Sequence, residues 1–253
     1  MKIQIASDLH LEFERNNDFL TSNPLTKAGE VLLLAGDIVV GKFAENAVGF
    51  YEKVEGEFQS IISAFGNHEF YMGCIDRAYH CCFERLAFNH VRLNNTCRVV
   101  GDVKFIVSTL WSYVPQKDGE RIEQWINDYS HILTSAGKPI QARDTNTLHA
   151  QSVRYILDEL RRPFVGKIVV MTHHLPSYEC ISSKYKSGDL NAAFASSLDS
   201  IILAHPEISL WVCGHSHVPV DVTIGSTRIV SNPMGYVHKK EHFQFRRDFV
   251  VEV

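Results

Sequence analysis

The stretch VLLLAGD, Val31 to Asp37, runs five apolar residues together and stops on Gly36 and Asp37. A continuous apolar run ended by a glycine predicts a strand buried on both faces, as in parallel sheets covered by helices. The same polar ending recurs along the chain. KIQIASD (Lys2–Asp8) alternates and runs on into DLH, and SIISAFGNHE (Ser60–Glu69) passes through Gly66. KIVVMTHH (Lys167–His174) and ISLWVCGHSH (Ile208–His217) each finish in two histidines. Five predicted strands therefore end in Asp, Asn or His.

Between and after them lie helical patterns: Phe43–Phe58, Ile75–Phe88, Asp144–Arg162 and Leu190–Ala204. Their apolar stripes read as core faces. Two hairpins are expected, Arg98–Trp111 turning at Gly101-Asp102 and Asp221–Asn232 turning near Gly225-Ser226, and a final strand at Phe249–Val253. Strands alternating with helices, plus hairpins, predict an α/β architecture with mixed sheets. Ser112–Arg143 fits least well, with Trp125, Asp128, Tyr129 and His131 in polar surroundings. It reads as a partly helical cap or insert over 112–143, either setting specificity or decorating the surface.

The chain has 253 residues, 45% hydrophobic and 21% charged, with a net charge of -4. No linker or repeat divides it, so one domain over 1–253 is expected. An acidic balance argues against a nucleic-acid partner. The N-terminus lacks the apolar region of a secretory signal, and no stretch approaches the about 20 apolar residues of a membrane span. Cys74, Cys81, Cys82, Cys97, Cys180 and Cys213 form no C-x-x-C pair. They read as reduced thiols of a cytoplasmic protein.

Each polar cluster is weak evidence by itself. In α/β proteins, however, strands deliver their terminal loops to one edge of the sheet, where ligands bind. Asp8, His10, Asp37, Asn67, His173 or His174, His215 and His217 could then converge. Two carboxylates, an amide oxygen and several imidazoles exceed the needs of one metal ion. A carboxylate shared between two cations about 3.5–4 Å apart is the arrangement used for phosphoryl chemistry. Nitrogen and oxygen donors without thiolate suit two divalent or trivalent ions such as Mn, Fe or Zn.

The series DLH (Asp8–His10), GD (Gly36–Asp37), GNHE (Gly66–Glu69), TH (Thr172–His173) and GHSH (Gly214–His217) resembles the calcineurin-like metallophosphoesterase superfamily in motif and order. The resemblance implies a four-layer α/β/β/α sandwich with two mixed sheets and a dinuclear site at the strand ends. One metal would be held by Asp8, His10, His217 and bridging Asp37, the other by Asp37, Asn67, His173 and His215. In several members the fourth motif places its histidine two residues before a proline, which selects His174. The position at the end of KIVVMT favours His173, leaving His174 as a substrate contact. His68 matches the family's outer-sphere histidine, placed to stabilise a phosphate oxygen or protonate the leaving group, or else to orient a ligand.

The function implied is metal-dependent hydrolysis of a phosphate monoester or diester, of a small molecule or nucleotide, by attack of a metal-bridging hydroxide. Three other readings stay open: a non-catalytic scaffold of the same fold, a protein phosphatase and a nuclease. Phe65, where an arginine precedes the glycine in protein phosphatases, speaks against the second. No obligate protein partner is evident. Tyr71, Trp111, Tyr113 and Tyr185 are candidate pocket aromatics. Arg15 and Asn16 could meet a phosphate or lie in a solvated loop, and Asn232–Tyr236 (NPMGY) could end a strand near the site.

Overall fold

In the computed structural model, which describes residues 1–78 and 81–253, strand periodicity decides which layer each side chain enters. Along β2 (Val31–Leu34), Val31 and Leu33 join an apolar cluster with Ile3, Ile62, Phe105 and Met171. Leu32 and Leu34 turn the other way, to Leu20, Val54 and Phe58. Both faces of the strand are therefore dry, which is why the sequence shows an unbroken apolar run.

The first sheet has the order β12 (Val250–Glu252), β1 (Lys2–Ala6), β2, β3 (Ser60–Ala64), β5 (His90–Asn94), β4 (Cys82–Arg85). The second has β10 (Val220–Ile224), β11 (Thr227–Ser231), β9 (Ile208–Val212), β8 (Lys167–Thr172), β7 (Val103–Ser108), β6 (Thr96–Val100). Inner pairs are parallel and the outermost pairs antiparallel, so both sheets are mixed. The sheets face each other across the cluster that holds Ile5, Leu33, Phe105 and Val169.

Helices cover the two outer faces. α1 (Glu14–Ser22) and α2 (Val48–Glu57) place Leu20 and Val54 on the first sheet. α5 (Ala142–Leu160) and α6 (Asp199–Ala204) place Ile156, Leu160 and Ile202 on the second. The result is the four-layer α/β/β/α sandwich. Residues 112–143 hold α3 (Gln116–Trp125) and α4 (Asp128–His131), whose Ile122 and Tyr129 pack with Phe65, Phe70 and Trp111. No helix among the described residues is long and apolar enough to cross a membrane.

Both expected hairpins form, as β6–β7 and β10–β11. Two of the expected helices do not. Ile75–Phe88 contains a 3₁₀ turn at Ile75–Ala78 and then β4, while residues 79 and 80 lie outside those described. β4 is an edge strand of alternating exposure, so its charges resemble a solvated helix face while its backbone pairs with β5. Leu190–Ala204 is broken between a 3₁₀ turn, Asn191–Ala193, and α6. There the chain bonds back to the loop after β8, with Leu175 N–H donating to Phe194 O and Ser196 N–H to Leu175 O. Phe43–Phe58 begins as 3₁₀ (Gly41–Ala47) and continues as α2.

Candidate metal centre

β1, β2 and β3 are parallel neighbours, as are β8 and β9, and their C-terminal ends meet where the two sheets converge. Each strand hands over to a tight turn. Asp8, His10, Asp37, His215 and His217 have φ between 48° and 69°, and they are five of the ten non-glycine residues with positive φ among those described. Left-handed conformations cost of order 1–3 kcal/mol each and collect where geometry serves a ligand. Gly36, at φ 87°, allows a close approach, since a Cβ there would sit 2.5 Å from His173 Nδ1. Gly214 likewise lets the chain pass the site, its would-be Cβ falling 2.8 Å from Asp8 Oδ2.

Besides His10, Glu12 and His68, two groups of possible metal ligands result: Asp8, His10 and His217, and Asp37, His173 and His215. Asp37 lies between them, its Oδ2 3.9 Å from His10 Nε2 and 3.3 Å from His173 Nε2. Asn67 Oδ1 is 2.9 Å from the same His173 nitrogen. All seven residues proposed as ligands from the sequence thus gather at one place, with His173 in the fourth-motif position.

The hydrogen bonds behind these rings set their tautomers. His10 Nδ1 faces Glu12 Oε1 at 3.2 Å, and His217 Nδ1 faces Glu241 Oε2 at 2.7 Å. Both Nδ1 atoms therefore carry protons, and their Nε2 lone pairs point at each other across 2.9 Å, with Asp8 Oδ1 3.6 Å from His217 Nε2. His173 Nδ1 donates to Ala35 O at 2.8 Å, so its Nε2 also meets only acceptors, Asn67 Oδ1 and Asp37 Oδ2. His215 gives Nε2–H to Ala193 O, leaving Nδ1 free. Converging lone pairs of this kind fit cations.

Electrostatics agree. Burial opposes charge on His173, but Asp37 and Asp8 outweigh it and raise its pKa to about 10. A positive charge is thus demanded at that spot. His215 is held well below the usual histidine range by burial and then by His174 and His173, and His10 is lowered by burial and His68. Neutral imidazole is the form that coordinates a metal. Asp37 stays ionised: burial works against it, but His173 and His68 hold its carboxyl well below the usual range.

His68 stands beside this centre. Its Nδ1 is 3.0 Å from Glu12 Oε1, its Nε2 is 4.0 Å from Asp37 Oδ2 and 3.5 Å from Tyr236 Oη, and its ring stacks on Tyr71 at 4.1 Å. Burial lowers its proton affinity, yet Asp37 and Glu12 prevail and raise its pKa to about 9. His174 occupies a different place. It is 1% exposed, bonds Thr109 O through Nδ1 and packs its ring 4.0 Å from that of His215. His215 and Trp111 pack against it, and His174 is not among the residues that wall the neighbouring cleft.

That cleft, of about 270 Å³, is walled by Asp37, Asn67, His68, His215 and His217 on one side and by Trp125–Asp128 on the other. The 112–143 segment therefore reaches the site. Tyr71 faces the cleft, whereas Trp111 is buried beneath it, Tyr113 is exposed away from it and Tyr185 borders a neighbouring cavity. Tyr236, from NPMGY, packs on His10 and His217, at 4.6 Å from each ring.

Several supporting residues escape sequence reasoning. Glu69, beside His68 in GNHE, is buried and accepts the N–H groups of Gly66, Asp37 and Ile38, tying the second and third motifs together. Asp128 accepts Asn67 Nδ2 and Tyr71 Oη, each at 2.7 Å, which turns Asn67 Oδ1 toward His173. Asn16 is fully buried, bonding Leu9 O, Gly235 O and Val237 N, so it meets neither phosphate nor solvent. Glu12 has a local signal that the motif reading passes over, the carboxylate two residues after His10 in DLHLE. Glu241 and Asp128 had no local signal.

The calcineurin-like phosphoesterase model matches residues 1–219, which include all five motifs. The chain belongs to the calcineurin-like phosphoesterase family. An uncharacterized protein, L509, of Acanthamoeba polyphaga mimivirus is 27% identical over 270 residues, covering 95% of this chain and 93% of its own. Phosphopantetheinyl hydrolase from Mycobacterium tuberculosis superposes with a TM-score of 0.70 at 15% identity, covering 100% of this chain and 95% of its own. Its likeness is one of fold, the sandwich of this phosphoesterase family.

Proposed function

We propose that the chain hydrolyses a phosphate monoester or diester of a small molecule or nucleotide, using two metal ions. The observation that carries this reading is Asp37, whose Oδ2 stands between two groups of inward-facing imidazoles. Asp8, His10 and His217 with Asp37 would hold one ion, and Asp37, Asn67, His173 and His215 the other. The chemistry such ions supply is an acidified water as nucleophile and neutralisation of charge on the phosphate oxygens.

The protein's own groups do the rest. His68 presents Nε2–H to the cleft while Glu12 holds its Nδ1–H. From there it donates to a phosphate oxygen, or gives its proton to the departing alkoxide. Tyr71 stacks against the ring and fixes its plane. Glu12, Glu241 and Asp128 act as positioning residues, each aiming a ring or amide whose other end faces the centre. Lys239 brings an ammonium to the same wall, suited to an anionic ester.

The test is turnover of p-nitrophenyl phosphate and bis-p-nitrophenyl phosphate by Mn²⁺-loaded protein. Release of p-nitrophenol from either supports the reading, and the ratio of the two separates monoesterase from diesterase. Silence on both, with two ions bound per chain, refutes it.

A further inference from the structure

The cleft does not end at His215. Phe194 and Ser216 wall it and also wall a second cavity, of about 330 Å³, on their far side. Ser216 is the residue between His215 and His217, and the Phe194 ring packs 4.9 Å from that of His215. The cavity therefore adjoins the cleft beside the candidate metal centre. We infer that it is the subsite for an uncharged, apolar organic group esterified to the phosphate, a reading that rests on the proposed hydrolase function.

The walls argue for that chemistry. Ile181, Tyr185, Leu190, Phe194 and Val218 give it a predominantly apolar surface. The amide nitrogen of Asn191 is already used by Tyr185 O and Lys186 O. The acid of the wall, Asp189, is paired with Arg121 of α3. No lysine or arginine lines the cavity among the described residues, so a second phosphate or a carboxylate would enter without a counter-charge. An apolar group entering instead exchanges water for carbon contacts, the favourable direction.

The same ion pair spans the edge of the subsite at the surface. Arg121 belongs to the 112–143 segment and Asp189 to the loop between β8 and α6, so the two pieces are clipped together beside the cleft. At the other end of that loop, Leu175 and Ala195 form a bridge that fixes the approach of Phe194. A helix of the 112–143 segment and the loop before α6 thus meet beside the ends of β8 and β9.

The experiment compares kcat/KM of the Mn²⁺-loaded protein for 2-(1-naphthyl)ethyl phosphate and ethyl phosphate, alkyl monoesters with leaving groups of matched basicity. The wild type is expected to favour the naphthyl ester by roughly 10-fold or more. Leu190→Asp, which places a carboxylate in the half-buried wall, is expected to cut that preference to roughly 3-fold or less. Leu190→Ala only trims the wall; it should lower the ratio roughly 3-fold and serves where the aspartate variant does not fold. A wild-type ratio near one, or a preference that both variants leave intact, overturns the subsite while the hydrolase reading stands. Should neither ester turn over with metal bound, p-nitrophenyl phosphate and bis-p-nitrophenyl phosphate decide the hydrolase reading separately. Calorimetry with 2-(1-naphthyl)ethylphosphonate and ethylphosphonate then decides the subsite by the same ratios.

Discussion

Each half of the centre sets two histidines beside the shared Asp37, but the rings are backed differently. On the Asp8 side, His10 and His217 lean on carboxylates, Glu12 and Glu241. On the Asn67 side, His173 and His215 lean on backbone carbonyls, Ala35 O and Ala193 O. A carboxylate behind an imidazole makes it a stronger donor and adds negative charge, whereas a carbonyl fixes orientation and adds none. The comparison teaches that one half is tuned by side chains and the other by backbone geometry. The Asp8 half should therefore hold its ion more tightly, and a chelator should empty the Asn67 half first.

Asp37 belongs to both halves, so its substitution breaks the comparison outright. Asp37→Asn removes the shared charge while keeping the shape, and should lower kcat for p-nitrophenyl phosphate by roughly 1000-fold or more, several kcal/mol of barrier. Metal content by mass spectrometry should fall in the same variant. Retention of both ions with near-normal turnover would contradict the placement of Asp37. His68→Ala lies next in size. It should cost about 100-fold in kcat, yet leave the metal content unchanged, since Nε2 of His68 stands 4.0 Å from Asp37 Oδ2 and its Nδ1 is occupied by Glu12. Loss of metal in this variant would move His68 into the ligand set.

Glu241→Gln sharpens the contrast between the halves. The amide oxygen can still accept from His217 Nδ1 and Tyr236 N, so what disappears is the charge. One of the two metal affinities should weaken by about 10-fold and the other should hold, as read by titration against a competing chelator. Equal weakening of both, or of neither, would show that backing does not distinguish the halves.

How much of this was legible follows the same division. The strand-end motifs could be read because each ligand sits within a few residues of an apolar run. The outer support could not, because its partners are distant: Asp128 meets Asn67 across 61 positions and Glu241 meets His217 across 24. α1 went unseen for a related reason. Its sequence, ERNNDFLTS, has little apolar periodicity, since one of its two buried residues is Asn16, held by backbone groups from Gly235 and Val237. β4 misled because an exposed edge strand alternates polar and half-buried residues much as a helix surface does. Where the chain is stabilised by burial its pattern shows in the sequence, and where it is stabilised by long-range polar bonds it does not.

The smallest effect concerns a histidine outside the centre. His90 is as buried as His173 and also faces a carboxylate, with Nδ1 2.8 Å from Glu55 Oε1 and Nε2 2.7 Å from Ser63 Oγ. Its pKa nevertheless moves the other way: burial lowers it, and the contribution of Glu55 does not make up the difference. Proton affinity thus separates His173, drawn up by Asp37 and Asp8, from His90, where burial wins over a single carboxylate. The folded state holds His90 neutral, while the unfolded chain takes up a proton near pH 6.5. Its contribution to stability is therefore present above about pH 6.5 and lost as the pH falls below it. Denaturation midpoints at pH 7.5 and 5.5 should differ less in His90→Gln than in the wild type. An equal or larger difference in the variant would assign the acid sensitivity to other groups, with those of the centre itself the first to examine.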